Sequence, residues 1–166
     1  MAHIETERLI LRTWMPNDVS ALFAISQDPD VNRYLPLSHP PTLQSVHRWI
    51  EWATEEQELE GFSVWPVIRK DTGVLIGRCG LHRMENGEIE VAWIFARDQW
   101  GNGFATEAAR GALDFGLRVV NIERIIALVA PLNSASVAVA HRCGMRFERV
   151  VRAYKRDLLR YTIHAE

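Results

Sequence analysis

The segment from Glu88 to Val120 changes its period once, and the change falls on a pair of glycines. After the Asn86-Gly87 hairpin signal, Glu88 to Phe95 reads as a strand. From Ala105, apolar or small residues recur at Ala108, Ala109, Ala112, Leu113, Gly116 and Val120. Glu107, Arg110, Asp114 and Arg118 fall opposite, so this stretch predicts an amphipathic helix. Between the two lies Gln99-Trp100-Gly101-Asn102-Gly103. A helix start leaves unpaired N–H groups and a partial positive charge, which suits a phosphate. Gly101 and Gly103 permit close backbone approach, and Ala105 keeps the first turn narrow. The plainer alternative is a tight strand-to-helix connection without a ligand. The loop is no Walker loop, for G-x-x-x-x-G-K-[ST] is absent, and no G-x-G-x-x-G follows a first parallel strand.

The rest of the chain alternates strand and helix signals. Leu9, Leu11 and Thr13 alternate with Ile10, Arg12 and Trp14 as a first strand. Met15 to Asp18 opens a short helix with Val19, Leu22, Phe23 and Ser26 on one side, and Asp28-Pro29-Asp30 stops it. Leu35 to Pro41 is loop. Thr42 can cap a helix carrying Leu43, Val46, Ile50 and Ala53, whose acidic end, Glu55 to Glu60, is expected in solvent. Phe62 to Ile68 reads as a strand with Pro66 at an edge or bulge, Asp71 to Gly73 as a turn, and Val74 to Met84 as the returning strand. Ile125 to Ala130 is an apolar run expected as a buried strand. Asn133 to Arg142 is a helix ended by Gly144, and Phe147 to Tyr154 with Leu158 to Ile163 forms a final hairpin.

A length of 166 residues predicts a single domain, residues 1–166. The net charge of -2 gives no electrostatic footprint for nucleic acid or an anionic membrane. No apolar run approaches the ~20 residues of a membrane helix. The start MAHIETERLILR is charged throughout, unlike a signal peptide, so a cytoplasmic location is the expectation. Cys79 and Cys143 form no C-x-x-C pair, and the six histidines include no H-x-x-x-H pair, so no metal site is expected.

Trp100-Gly101-Asn102-Gly103-Phe104-Ala105-Thr106-Glu107-Ala108 resembles the W-G-x-G-[YF]-A-T-E-A coenzyme A loop of the GNAT (GCN5-related N-acetyltransferase) superfamily. Within it, the chain resembles the ribosomal-protein N-terminal acetyltransferases, where Trp100 stands at the usual Gln or Arg position. Thr6 to Arg12 resembles the T-E-R-L-x-L-R opening of that subgroup, and Asp28 to Leu35 its D-P-x-V-x-x-Y-L. Thr72-Gly73 through Gly80-Leu81 is similar to T-G-x-x-I-G-x-x-G-L. Asn133 to Ser136 with Gly144-Met145 resembles N-x-x-S followed by G-F, and Asp157 to Tyr161 the closing D-x-x-x-Y. The set spans nearly the whole chain in order.

The resemblance implies an α/β fold: a central mixed, mostly antiparallel sheet of about seven strands, splayed between the fourth and fifth and flanked by about four helices. It implies acetyl-CoA in the gap as cosubstrate, without metal. Backbone groups of Trp93, Ile94 and Phe95 would pair with the pantetheine arm, and one amide would polarise the thioester carbonyl. Amides of Trp100, Gly101, Asn102, Gly103, Phe104, Ala105 and Thr106 would hold the pyrophosphate, and Asn133 would contact the pantetheine or the opened strand edge. An acceptor amine would attack the thioester directly. It must be neutral: deprotonation at pH 7 costs ~4.6 kcal/mol for a lysine-like amine but only ~1 for an α-amine.

Glu90 is the candidate base and Ser136 the candidate proton donor to the thiolate, with Tyr154 and Tyr161 as rival donors. The alternatives are a solvated strand face for Glu88 and Glu90, and a helix-start hydrogen bond for Ser136. Cys79, Cys143, Trp65 and Trp93 are expected as packing residues, although the two tryptophans could line an acceptor cleft. The acceptor stays open between a protein N-terminus and a small amine, as does a homodimer. Tyr34 to Thr42 and the segment after Gly144 would set specificity. Rival readings are an acyl-CoA-binding regulatory module and a nucleotide-binding protein using the same loop for ATP or NAD.

Overall fold

The alternating segments assemble into one sheet with one strand more than expected. The computed structural model describes residues 2–166. The strands are β1 (Ala2–Glu5), β2 (Leu9–Arg12), β3 (Val64–Arg69), β4 (Leu75–Arg83), β5 (Ile89–Phe95), β6 (Arg124–Val129), β7 (Arg146–Ala153) and β8 (Arg156–His164). They lie in the order β1-β2-β3-β4-β5-β6-β8-β7. All neighbours are antiparallel except β5 and β6. The helices are α1 (Asp18–Ser26), α2 (Pro29–Asn32), α3 (Leu43–Glu60), α4 (Phe104–Asp114) and α5 (Ser134–Arg142). The unforeseen strand is β1. It is too short for its alternation to stand out, and it forms by folding back on β2 through a turn closed by the Thr6 amide on the Leu9 carbonyl. The strands expected as fourth and fifth are therefore β5 and β6.

The sheet is covered on both faces. On one, Leu9, Leu11, Trp65, Val67, Leu81 and Val91 pack with Ala108, Ala109, Ala112 and Leu113 of α4 and Ala140 of α5. On the other, α1 and α3 bring Val19, Leu22, Val46, Ile50 and Ala53 together with Trp14. Thr42 and Ser45 form a reciprocal capping box at the start of α3, as Thr42 predicts, and left-handed Gly61 (φ 77°) ends it.

Three local expectations need correction. Pro66 is not on an edge strand, since β3 lies between β2 and β4. It is tolerated because β2 pairs only with Val67, Ile68 and Arg69, leaving the ring nitrogen beyond that ladder, and a bulge follows at Val67 and Ile68. The acidic end of α3 is not all in solvent. Glu56 is buried and accepts hydrogen bonds from the Arg83 amide (2.9 Å) and Ser63 Oγ (3.2 Å). The helix begun at Phe104 does not run regularly to Val120 but widens into a π turn over Phe115–Val119. There Gly116 lies so close to β4 and β6 that a Cβ would stand 2.6 Å from Leu81 Cδ1 and 2.8 Å from Ile125 Cδ1.

The feature that makes the site is the junction of β5 and β6. They pair in parallel at two positions, Ile89 with Ile125 and Glu90 with Ile126, and then separate. Beyond Glu90, β5 pairs only with β4, and β6 only with β8. Ala92, Trp93 and Ile94 lose burial where the pairing stops, while Val91 and Phe95 on the helix side stay buried.

The closed end of this fork is fixed by charge. Buried Arg160 donates to both carboxylate oxygens of Glu88 (2.8 and 2.6 Å) and to Glu148 (2.8 Å), binding the foot of β5 to β7 and β8. Arg124 adds a 2.9 Å contact to Glu88. The Arg160 hydrogen bonds, working against partial burial, hold the Glu88 carboxyl down at about 2. Its folded value lies below its unfolded one, so this contribution is complete above about pH 4.3 and is lost as pH falls toward the folded value. Urea unfolding from pH 7 down to pH 2 should show a loss of stability below pH 4.5 that Glu88→Gln flattens, while lowering stability at neutral pH. The same acid slope in the variant would contradict this role.

Candidate active site

Where β5 and β6 part, they leave a cleft of about 420 Å³. Its walls include Glu90 to Ile94 of β5, Ala127 to Val129 of β6, and Asn133 and Ser136 at the start of α5. An interior strand with an unpaired edge leaves backbone N–H and C=O groups that require partners. Here they face a space of the size that holds small ligands.

Glu90 is buried, unlike a solvated strand residue. His82 Nε2 stands 2.8 Å from Glu90 Oε2, and Tyr154 donates its hydroxyl to the same oxygen at 3.3 Å. The opposed pair His82 and Glu90 on β4 and β5 places these side chains side by side. Burial alone would lower the His82 pKa, but the Glu90 hydrogen bond and the charges of Glu90 and Glu56 outweigh it and raise it. Tyr154 is pushed up to about 12 by burial and by Glu90, so at neutral pH it keeps its proton. It stands at φ 50° in the tight turn between β7 and β8, which swings it over the cleft.

Ser136 lies on the opposite wall. The α5 cap is made by Asn133, whose Oδ1 accepts from the Ser136 amide at 3.2 Å. The Ser136 hydroxyl instead receives the Trp93 indole N–H at 3.3 Å, so its own hydrogen remains available to give. Trp93 thus lines the cleft. Trp65 is a core residue, with its indole N–H on Gln57 Oε1 at 2.8 Å. Tyr161 is also buried in the core, beside His141, and does not line the cleft. Cys79 is fully buried and its thiol is pushed far up by burial. Cys143, packed against the same core beside α4, is raised to about 11, again mainly by burial.

The open edge of β5 leads to the glycine loop. Trp100 donates its indole N–H to the Phe95 carbonyl at 2.9 Å, folding the loop against the strand end. Gly101 and Gly103 take φ 77° and 79°, conformations that disfavour a side chain. Gly103 is the N-cap of α4, which has no side-chain cap. Among the described residues, the amides of Gly101 through Thr106 donate to no protein acceptor, and the first helical bond runs from Glu107 to Gly103. The Asn102 side chain is spent on the carbonyls of Gln99 and Trp100, leaving the backbone to face a ligand.

A clamp holds this loop in place. Glu107 accepts from Thr6 Oγ1 (2.6 Å), the Arg8 amide (2.7 Å) and Arg8 Nε (2.7 Å), while Arg8 Nη1 reaches the Asn102 carbonyl (2.9 Å). Two separate sequence signals, Thr6-Glu7-Arg8 and Ala105-Thr106-Glu107, are therefore halves of one contact. A second hollow, about 870 Å³, lies along the outer side of α4 and includes Gly103 and Thr106 in its wall. The cleft, not this larger hollow, gathers Glu90, Trp93, Ile94, Asn133 and Ser136. Phe95, at the buried end of β5, and Trp100 stand beyond the cleft wall, toward the loop. Among the described residues no cluster of His, Cys, Asp or Glu could hold a metal ion, and no helix is long and apolar enough to cross a membrane.

The profile described as acetyltransferase (GNAT) domain matches residues 8–146. The chain belongs to the GNAT acetyltransferase family. It is an acetyltransferase, and its sheet has the fold of that family. A Bacillus licheniformis relative, named as an uncharacterized N-acetyltransferase p20, is 33% identical over 159 residues, covering 94% of this chain and 89% of that protein. The crystal structure of a GNAT-family acetyltransferase from Bacillus anthracis superimposes with a TM-score of 0.84 at 26% identity, over 97% of each chain. Mycobacterium smegmatis RimJ, solved in complex with CoA-disulfide, shares the fold with a TM-score of 0.83 at 22% identity, over 95% of this chain and 82% of that one.

Sequence reasoning missed His82, Trp49, Trp52, Arg78 and Arg156 as cleft residues, whereas Tyr34 to Leu37 in its wall belong to the loop expected to set specificity. The Asn86-Gly87 signal set β4 against β5, but a two-residue turn would oppose His82 to Val91; the observed turn holds one residue more and opposes it to Glu90. The approach of α3 had no such signal. Because Gly103 sits at positive φ, a side chain there would strain the backbone as well as obstruct a ligand, so Ala105 offers a cleaner test. Ala105→Glu places a carboxylate at the helix start, where it favours the helix but repels phosphate. Acetyl-CoA affinity should fall at least about tenfold, or 1.4 kcal/mol, in protein whose melting transition shows it folded. Unaltered affinity in a calorimetric titration would remove the loop from cosubstrate binding.

Proposed function

We propose that this acetyltransferase transfers the acetyl group of acetyl-CoA to a primary amine by direct attack within a ternary complex. The observation that carries the reading is that β5, with one edge open beyond Glu90, ends at a loop folded against it by Trp100, whose amides are left uncapped at the start of α4. An extended amide-bearing arm can pair with a strand edge, and a pyrophosphate can accept from a run of backbone N–H groups. That a family member of the same fold was solved with a CoA-disulfide supports the assignment. The acceptor is a small amine or a protein N-terminus, and one domain over residues 1–166 does the work.

Acetyl-CoA supplies an activated acyl group whose thioester would lie beside Ala92 to Ile94. A backbone N–H on the β5 edge would hold the carbonyl oxygen, an interaction whose loss costs ~3–4 kcal/mol in comparable acyl-transfer sites. Glu90 receives the ammonium proton of the acceptor, directly or through water, and leaves the nitrogen lone pair free. His82 positions the carboxylate from one side. The C–N bond forms, the C–S bond breaks and the attacking nitrogen sheds its second proton; the sulfur takes a proton from Ser136 or from Tyr154, which is held in its protonated form, and the proton released by the nitrogen restores that hydroxyl. Neither thiol is needed, since both are raised by burial and neither lines the cleft.

Replacing both cysteines, Cys79→Ala with Cys143→Ala, should leave turnover per folded molecule unchanged. An acetyl-cysteine trapped by mass spectrometry in the parent would overturn direct attack. Glu90→Gln should lower kcat by about 10²–10⁴ while acetyl-CoA affinity is retained. The defect should shrink at high pH and be larger for lysine-like amines than for α-amines. Full activity at neutral pH on the best acceptor would take Glu90 out of the mechanism.

A further inference from the structure

The acceptor side of the cleft is walled by α3 and the Tyr34 to Leu37 loop, and its charges are unbalanced. Two guanidiniums, Arg78 and Arg156, line it with one carboxylate, Glu90. The chain as a whole carries a net charge of -2, so this local excess is set against the overall balance. Arg156 is tied to the Tyr34 carbonyl, which holds the loop over the cleft. Arg78 differs from Arg156, whose partner is that backbone carbonyl, and from the arginines that have a carboxylate. Arg12 has Asp18, Arg69 has Asp71 and Arg160 has Glu88. Among the described residues Arg78 has no ion pair and no side-chain hydrogen bond. Its contact is the face of Trp49, 3.9 Å from the guanidinium carbon to the ring centroid.

A stacked guanidinium gains from the ring face, but its five N–H donors lie in its own plane and remain directed outward. Burial with no anion beside it lowers the Arg78 pKa to about 10, still cationic at neutral pH. Enclosing an unpaired charge is unfavourable unless an anion meets it in use. The stacking also explains its aim. Trp49 is held edge-on by Trp14 (5.6 Å), and Trp52 continues the wall toward His82 (5.9 Å), so aromatic rings run from Arg78 to the Glu90 pair. Arg78 and His82 share one face of β4, four residues apart, which sets their Cα atoms ~13 Å apart along the cleft.

We propose that the acceptor is an amine carrying a carboxylate: Arg78, presented by Trp49, binds the carboxylate while the amine is directed to Glu90. The planar fork of arginine matches a carboxylate through two parallel N–H bonds, which lysine cannot reproduce. The same charge excess disfavours polyamines. The inference rests on the cleft being where an amine meets acetyl-CoA. The carboxylate can belong to a small amino acid or to an acidic residue near a peptide N-terminus.

The test measures binding to the full chain saturated with CoA, using pairs that differ only in the carboxylate. Suitable pairs are β-alanine against ethylamine, 6-aminohexanoate against pentylamine, and the amidated peptides Ala-Glu-Ala against Ala-Gln-Ala. The carboxylate member of at least one pair should bind ten times tighter or better, and the pair that responds identifies the source. Arg78→Met should remove most of that ratio and Arg78→Lys only part, with the change in KM rather than kcat where transfer is seen. Equal binding within every pair by the unaltered protein overturns the proposal whether or not the variants fold. So does a ratio that survives Arg78→Met, a variant effect confined to CoA affinity, or spermidine binding tighter than every carboxylate ligand. Carboxylate-dependent binding without acetyl transfer to any amine would uphold the role of Arg78 and count against the proposed reaction.

Discussion

The two-rung pairing of β5 and β6 is the constraint on which the rest of the molecule turns. A parallel pair joined by a helix normally continues until one strand ends. Here β6 stays in register with β8 along its length, and β5 with β4, so each strand is held by the neighbour on its outer side while the inner edges diverge. The sheet remains continuous because the closed end of the fork is fastened by Arg160, Glu88 and Glu148. The open end exposes strand backbone in the middle of the protein. A fold tolerates that only where a ligand can complete the hydrogen bonding, and the cleft, the loop and the helix start all follow from it.

The glycine loop is useful only if its amides stay where β5 ends. Glu107 does this from within α4 by binding Thr6 and Arg8, and Arg8 lies 4.5 Å above the Phe104 ring while also holding the Asn102 carbonyl. The N-terminal strands thereby brace the loop proposed to hold the cosubstrate, without touching the cleft. On the acceptor side the scaffold is aromatic: Trp14, Trp49 and Trp52 form a wall whose polar ends are Arg78 and His82. Rigid rings suit this task, since they orient charged groups with few rotatable bonds.

Much of this was legible in the chain. The period change at Gly101 and Gly103 locates the loop, the Asn86-Gly87 turn sets β4 against β5, and Thr42 marks the start of α3. The ordered motifs point to the family and to a splayed sheet. What escaped was long-range. β1 is four residues, Ala2 to Glu5, too short for its alternation to stand out, and it exists because β2 offers an edge. Glu56 sits in an acidic helix end that looks solvent-exposed, yet it is buried to receive the Arg83 amide. Pro66 suggested an edge strand or a bulge; the bulge lies beside it at Val67 and Ile68, and the limited length of β2 accommodates it inside the sheet. Glu90 was identifiable as a candidate from its place on the fourth expected strand, and Ser136 from its match to N-x-x-S. Arg78 was not, because its meaning comes from Trp49, twenty-nine residues away on a helix whose position the sequence does not state.

The central claim is that the parted strands and the glycine loop form one acetyl-CoA site, and amide hydrogen exchange with and without acetyl-CoA tests it most directly. Exchange reports strand-edge and helix-start amides separately from the paired core. The account predicts that acetyl-CoA protects amides within Val91 to Phe95 and within Gly101 to Thr106 together, with little change along the β6–β8 ladder. Protection confined to the outer hollow along α4, with the β5 edge exchanging as fast as in the free protein, would contradict it.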